Sequence, residues 1–77
     1  MNLQVVSSMD IIFEGDCDFV VLPGSEGQLG ILANHAPLLS TLKKGRIKVR
    51  QKGGEKTFSI LGGFVEVLKN RITVLAS

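Results

Sequence analysis

The segment from Leu22 to Gly45, LPGSEGQLGILANHAPLLSTLKKG, holds most of the residues of this 77-residue chain whose types and spacing could support chemistry. Glycines recur at every third position, Gly24, Gly27 and Gly30, a spacing that could present backbone amides to a phosphate. A phosphate-binding loop of the Walker type would end in Gly-Lys-Ser/Thr, whereas an apolar Ile-Leu pair follows here. The spacing therefore favours a tight turn, in which glycine permits positive φ or a close backbone approach.

The only histidine, His35, and the only cysteine, Cys17, are the other candidates for catalysis. Nucleophilic catalysis would also need a group that orients the base and a site for the oxyanion. A lone cysteine in an apolar strand usually packs as a small apolar side chain, and one His, one Cys and scattered acids make a poor set of metal ligands. The sequence thus predicts no catalytic, cofactor-binding or metal-binding residue, and it predicts that His35 is either a structural hydrogen-bonding residue or an interface residue.

The charged residues are distributed unevenly along the chain. Residues 1–42 carry five acids and no Lys or Arg, while residues 43–56 carry seven of the nine basic residues. Arg46, Lys48 and Arg50 alternate with Ile47 and Val49, which is typical of a half-buried strand whose basic side chains face water. A small β-barrel that binds nucleic acid is the alternative, but such barrels stack bases on exposed aromatic side chains. Because the chain has no Trp or Tyr and only four Phe, a solvated strand face is favoured.

The elements that must position these residues are predicted to be strands, because apolar residues recur with period two. Phe58 and Ile60 alternate with polar residues in KTFSIL, as Ile72 and Val74 do in RITVLA. The composition, 44% apolar, is that of a globular chain, and residues 1–77 are expected to form a single domain. We predict an all-β fold, a small β-sandwich or flattened barrel of about 8–10 short strands.

Short turns are predicted between several of these strands. Lys52–Gly54, Lys69–Asn70 and Glu14–Asp16 are each expected to form a hairpin turn. Only HAPLLSTL resembles a helix, and its proline limits any helix to a short turn. No signal peptide or membrane-spanning segment is expected, since the longest apolar run, Phe19–Leu22, is far shorter than the required ~20 residues. One cysteine makes a reducing, cytosolic setting the default expectation.

The run LPGSEGQLGILANHAPLLSTLKKGRIKV, followed by SILGGFVEVLKNRITVLA, resembles the epsilon subunit of F-type ATP synthases. The family pattern is a strand, Gly-x-x-Gly-x-x-Gly, a short strand, and Pro-Gly-His-Ala-Pro-Leu-Leu. A Pro-Gly turn, a basic strand and a Gly-Gly-x-x-Glu-Val strand ending in Val-Leu-Ala follow in that order. The likeness covers essentially all 77 residues. Ala33 and Asn34 stand where the family usually has Pro-Gly, and Lys44 where it usually has Pro; Asn34 can still adopt positive φ, so we expect the turn to survive.

The resemblance implies a non-catalytic rotor subunit in the central stalk of a proton-translocating ATP synthase. Such a subunit couples the gamma subunit to the membrane c-ring and transmits torque during ATP synthesis. By position, the residues that match the c-ring-facing loop of the family are Glu26, Gln28 and Leu29. Gln28 replaces an acid seen in some members, which would soften any charge pairing with the ring. The residues that match the gamma-facing side are Ser7, His35, Ala36 and Pro37.

The resemblance also implies a location and a limit on activity. The expected location is the cytoplasmic face of the bacterial inner membrane, or the equivalent side in an organelle, with membrane association only through the complex. The family usually continues into a pair of C-terminal helices that inhibit ATP hydrolysis and, in some members, bind ATP. The resemblance of residues 1–77 is to the β-sandwich that precedes those helices, so neither of those activities is expected of these residues.

Overall fold

A computed structural model describes all 77 residues, and every regular element in it is a strand. The predicted all-β fold is therefore confirmed, and no helix is present that could span a membrane. The nine strands are β1 (Asn2–Val6), β2 (Ile11–Asp16), β3 (Phe19–Gly24), β4 (Gly27–Leu32), β5 (Leu38–Leu42), β6 (Gly45–Gln51), β7 (Gly54–Ile60), β8 (Gly63–Leu68) and β9 (Arg71–Ala76). The segment that resembled a helix forms β5 instead.

The nine strands form one continuous hydrogen-bonded sheet with two parts. The first half-sheet has the strand order β2-β1-β9-β8-β5, and the second half-sheet has the order β4-β3-β6-β7. A single residue pair, Gly24 with Leu42, joins the two parts between β3 and β5. Every pair of strands is antiparallel except β1 with β9.

The dimensions of the molecule require this sheet to curl. Eight strands lie along its main path, so seven steps of about 4.8 Å would make a flat sheet roughly 34 Å wide. The longest dimension of the chain is only 26 Å. The two half-sheets therefore turn their inner faces toward each other and enclose the core, which is the flattened-barrel arrangement that the sequence predicts.

The core is one cluster of 15 buried side chains to which every strand contributes. No polar or charged residue belongs to it. Strand β6 shows how alternation fills it, because Ile47 and Val49 are fully buried while the basic residues between and beside them are exposed. Apolar burial is consequently the main interaction that holds the two half-sheets together.

Side chains close the gap between the free edges of the curled sheet, β2 and β7, which share no backbone pairing. The ring of Phe13 on β2 lies 5.4 Å from that of Phe58 on β7, centroid to centroid, in a tilted arrangement favoured by aromatic pairs. Lys56 Nζ lies 5.5 Å from the centroid of the Phe13 ring. The side-chain amide of Gln51 donates a 2.8 Å hydrogen bond to the backbone carbonyl of Asp16 at the end of the same gap.

Two of the three predicted hairpin turns are confirmed. Lys52–Gly53 joins β6 to β7, and Lys69–Asn70 joins β8 to β9 with φ values of 50° and 61°. The prediction of a hairpin at Glu14–Asp16 is wrong, because these residues continue β2, which pairs with β1 and not with β3. The actual link is Cys17–Asp18, which crosses from one half-sheet to the other.

The aromatic contact between the free edges gives a test of the fold. We expect Phe13→Ala to lower the free energy of unfolding by about 3 kcal/mol, since it removes a buried ring and leaves Phe58 without its partner. Phe64→Ala is the matched control, because Phe64 is 53% exposed; its cost should stay below about 1 kcal/mol. Chemical denaturation followed by circular dichroism measures both. Equal losses in the two variants would contradict closure by the Phe13–Phe58 contact.

Candidate functional site

A two-residue turn, Ser25–Glu26, joins β3 to β4 and carries the first of the candidate residues at its tip. Gly27 has φ of 137°, and a Cβ placed on Gly24 would clash with the carbonyl oxygen of Gly27. The amide of Ser25 donates a 3.0 Å hydrogen bond to the carbonyl of Thr41, whose hydroxyl donates a 2.7 Å bond to the Ser25 hydroxyl. The predicted tight turn therefore exists, and it is anchored to β5 with Glu26 exposed.

The other two residues predicted to face the c-ring, Gln28 and Leu29, lie on β4 and point to opposite faces. Gln28 is exposed on the outer face of the second half-sheet. Leu29 shares the inward face with buried Ile31 and packs against the core. Two of the three predicted residues, Glu26 and Gln28, thus have exposed side chains at or beside this turn.

The loop Ala33–Pro37, which carries the other main group of candidates, is held by a pair of asparagines. The amide N–H of Asn34 donates a 2.6 Å hydrogen bond to Oδ1 of Asn70, and Nδ2 of Asn70 donates a 3.1 Å bond to Oδ1 of Asn34. Asn34 has φ of 63°, as expected if the family's turn survives without its glycine. The role of Asn70 was missed from the sequence, because 36 positions separate it from Asn34.

His35 is exposed on this loop, with the ring nitrogen Nδ1 2.6 Å from the carbonyl oxygen of Ala36. A proton on Nδ1 makes this contact a donated hydrogen bond, which fixes the ring locally. Ala36 and Pro37 are exposed as well. His35 thus makes a local hydrogen bond while its side chain stays exposed, which leaves it available for contact with another molecule.

Ser7 does not lie beside the other three residues that match the gamma-facing side. It follows β1 where β1 pairs with the end of β9, whereas the loop with His35 contacts the turn that begins β9. The two ends of the molecule are named by their residues. The hairpin end includes Ser7 and the Ser25–Glu26 turn, and the histidine end includes His35 and Asn70. The length of β9, six residues, separates the two ends by roughly 17 Å.

No hydrogen bond joins Cys17 to His35. The Cys17 side chain is buried, and this burial raises the pKa of its thiol, which disfavours the thiolate that would act as a nucleophile or metal ligand. No group of three or more His, Cys, Asp or Glu residues is placed to hold a metal ion. The exposed loops, including the one that carries His35, are therefore better candidates for function than a site built on Cys17.

The outer faces of the two half-sheets differ in chemistry. On the first half-sheet, the large apolar side chains of Leu39, Phe64 and Leu75 are more than half exposed. On the second half-sheet, Arg46, Lys48 and Arg50 face water, as predicted for β6. Only one Phe, Phe19, borders this basic row, and the Arg50 guanidinium lies over its ring, 5.9 Å from the centroid. This face therefore offers no free aromatic ring on which a base could stack.

Fold and surface together define a small β-sandwich domain whose candidate site residues lie on surface turns and on the outer faces of its sheet. More specifically, the chain belongs to the family of the ATP synthase delta/epsilon chain β-sandwich domain, whose model matches residues 1–77. The chain is 46% identical over 78 residues to the ATP synthase epsilon chain of Pelotomaculum thermopropionicum, covering 99% of this chain and 57% of that protein. The epsilon chain of Leptospira borgpetersenii is 44% identical over 75 residues, covering 97% of this chain and 59% of that protein.

Two solved structures share the fold. A chain in the OSCP/F1/c-ring structure of the Euglena gracilis mitochondrial ATP synthase has a TM-score of 0.89 at 22% identity, covering 96% of this chain and 48% of that one. A chain in the central stalk/c-ring structure of the Tetrahymena thermophila mitochondrial ATP synthase has a TM-score of 0.83 at 20% identity, covering 97% of this chain and 61% of that one. This chain thus spans about half to three-fifths of the length of these relatives.

The paired asparagines give a test of how the histidine loop is held. We expect Asn70→Ala to destabilise the fold by about 2 kcal/mol, because it removes both hydrogen bonds and puts a Cβ-bearing residue without local hydrogen bonding at positive φ. Asn70→Gly is the control, because glycine keeps positive φ without strain and should cost only about 1 kcal/mol. Thermal melts of both variants make the comparison. An unchanged midpoint in Asn70→Ala would mean that the asparagine pair does not hold the loop.

Proposed function

We propose that this chain is a non-catalytic part of the rotor, or central stalk, of a proton-translocating F-type ATP synthase. It couples the gamma subunit to the membrane c-ring and transmits torque during ATP synthesis. The observation that carries the proposal is the match of the whole chain, residues 1–77, to the delta/epsilon β-sandwich family. The named relatives are epsilon chains, and the solved neighbours belong to F1/c-ring and central stalk/c-ring assemblies.

The location and organisation follow from the same proposal. The chain lies on the cytoplasmic face of the bacterial inner membrane, or on the equivalent side in an organelle, and it associates with the membrane only through the complex. Residues 1–77 act as one domain, since all nine strands contribute to a single core cluster. The chain performs no chemistry and holds no cofactor; buried Cys17 and the locally bonded His35 support this part of the proposal.

The gamma subunit binds the outer face of the first half-sheet in this proposal. On this face the side chains of Leu39, Phe64 and Leu75 are 74%, 53% and 55% exposed. Exposing apolar surface to water is unfavourable, and a bound partner would remove that surface from water. Phe64 and Leu75 are cross-strand neighbours, and Leu39 lines a cleft of about 180 Å³ with them. The first half-sheet runs from Ser7 at the hairpin end to the loop with His35 at the histidine end. One partner that covers it can therefore contact both, although Ser7 and His35 are far apart.

The c-ring binds at the Ser25–Glu26 turn, through Glu26 and Gln28. Leu29 contributes to this site by packing under the turn rather than by direct contact, since its side chain faces the core. The turn is suited to transmit force because Gly24 closes it tightly and Thr41 anchors it to β5. A load applied at Glu26 is thereby carried into the sheet instead of being absorbed by a mobile loop.

The gamma-binding face can be tested by substitutions that leave the fold intact. Phe64→Ser and His35→Ala should each weaken binding of purified gamma subunit at least about tenfold, because each removes an exposed contact. The unfolding free energy should change by less than about 1 kcal/mol in both variants. Isothermal titration with gamma, beside thermal melts, measures the two effects.

Leu32→Ser is the control for this experiment, because Leu32 is 60% exposed on the outer face of the other half-sheet. It should leave gamma binding unchanged. Gamma binding that survives both Phe64→Ser and His35→Ala, or that falls equally in Leu32→Ser, would rule out this face as the interface.

The proposed c-ring contact has a different test. Gln28→Lys should leave the unfolding free energy within about ±0.5 kcal/mol, because the side chain is exposed. It should lower ATP-driven proton pumping relative to ATP hydrolysis in reconstituted synthase whose ring loop presents Arg or Lys, since like charges then meet at short range. Gln28→Glu is the control of opposite charge and should not lower this ratio. Identical ratios for the Lys and Glu variants would argue against contact at Gln28.

A further inference from the structure

The outer face of the second half-sheet contains a groove of about 590 Å³ beside the Ser25–Glu26 turn. Three cationic side chains line it, Lys43, Arg46 and Lys48, together with the neutral hydrogen-bonding side chains of Gln28 and Thr57. The volume lies within the range of small-ligand sites, which is about 300–1,000 Å³. Neither the match to the family nor the proposed role in the rotor requires a groove with this composition.

The three cations in the groove have no carboxylate partner. The only ion pairs in the structure are the N-terminus with Asp16 and Arg50 with Glu55. Glu55 is the one acid that lines the groove. Its Oε2 lies 3.6 Å from Nη2 of Arg50, and it forms no ion pair with Lys43, Arg46 or Lys48. Concentrating like charges in a concave surface raises the local attraction for anions.

The backbone fixes the relative positions of the Cα atoms that carry these three cations. Arg46 and Lys48 are two residues apart on the same face of β6, so their Cα atoms are separated by about 7 Å. Strand β6 lies between β3 and β7, which limits movement of its backbone. The amide of Lys43 donates a 2.9 Å hydrogen bond to the carbonyl of Pro23. A Cβ on Gly45 would come within 2.8 Å of the Pro23 ring, so the link from Lys43 to β6 packs closely against Pro23, which also lines the groove.

We propose that this groove binds a phosphate-bearing anion. A phosphate presents several acceptor oxygens around one centre, so one group can accept from both the Arg46 guanidinium and the Lys48 ammonium. The groove is larger than a single phosphate requires, which leaves room for a second phosphate against Lys43 or for an attached organic group. Such an anion can be a soluble oligophosphate or the headgroup of an anionic phospholipid, and the two sources share this chemistry.

The first arm of the test uses tripolyphosphate and the 77-residue chain, by isothermal titration in low-salt buffer. We expect saturable binding, a rise in the melting temperature with ligand concentration, and weakening as salt is added. Arg46→Gln and Lys48→Gln should each weaken binding about tenfold, the loss typical of one charge-assisted contact. Lys52→Gln is the control, because it removes the same charge from the exposed β6–β7 turn outside the groove; its affinity should stay within about twofold of the original.

The second arm uses vesicles of phosphatidylcholine with or without phosphatidylglycerol, in a sedimentation assay with the same variants. Binding to tripolyphosphate alone assigns the groove to a soluble anion, and binding that needs phosphatidylglycerol assigns it to a lipid headgroup. Either result supports the proposal when Arg46→Gln and Lys48→Gln reduce binding and Lys52→Gln does not.

Three results would overturn the proposal. The first is no binding in either arm. The second is an equal loss of affinity in the groove variants and in Lys52→Gln, which would mean that binding depends on net charge and not on the groove. The third is binding of a single-stranded oligonucleotide at least about tenfold tighter than tripolyphosphate at matched salt, which would reassign the face to nucleic acid. Melting curves recorded without ligand check that each variant is folded. The assays contain neither gamma nor c-ring, so their outcome is independent of the proposed role in the rotor.

Discussion

The inward side chains of nine short strands have to share one apolar core, and much of the structure follows from this constraint. A sheet of this width buries both rows of inward residues only by curling until its halves face each other. No polar side chain in the core adds a directional bond, so register is set by alternation and by turn geometry. The gap between β2 and β7, which share no backbone pairing, is filled by Phe13 and Phe58. Aromatic side chains supply there the contact that a ladder of hydrogen bonds supplies elsewhere.

The sequence predicted the local features of this fold and not its long-range connections. Period-two alternation in β6, β7 and β9 identified these strands, and Lys52–Gly53 and Lys69–Asn70 carried recognisable turn chemistry. The hairpin at Glu14–Asp16 was predicted wrongly because Gly15 looked like a turn residue, although it lies paired with Leu3 inside β2. Whether the chain turns back or crosses to the other half-sheet depends on where the next strand finds a partner. The parallel pairing of β1 with β9, almost the whole chain apart, left no local signal either.

The candidate site residues show the same division. Their family resemblance located them, and alternation explains which side chains are exposed, as with outward Gln28 and inward Leu29 on β4. Their mutual arrangement was beyond the sequence, since Ser7 and His35 lie at opposite ends of β9. The contact between Asn34 and Asn70 was equally invisible, because two exposed asparagines acquire a shared role only after folding brings their turns together. Tertiary contacts thus decide which of the predicted residues form one surface.

Alternation also explains how one small domain presents two chemically different faces. Each strand gives half of its side chains to the core, and the remaining half is free of any packing requirement. On β8 and β9 this free half includes Phe64 and Leu75, which only another apolar surface can bury. On β6 it consists of Arg46, Lys48 and Arg50, which stay hydrated unless an anion approaches. Because the two faces lie on opposite sides of the same core, an apolar partner on one leaves the other open. The basic groove therefore remains accessible to a charged ligand while the apolar face is covered.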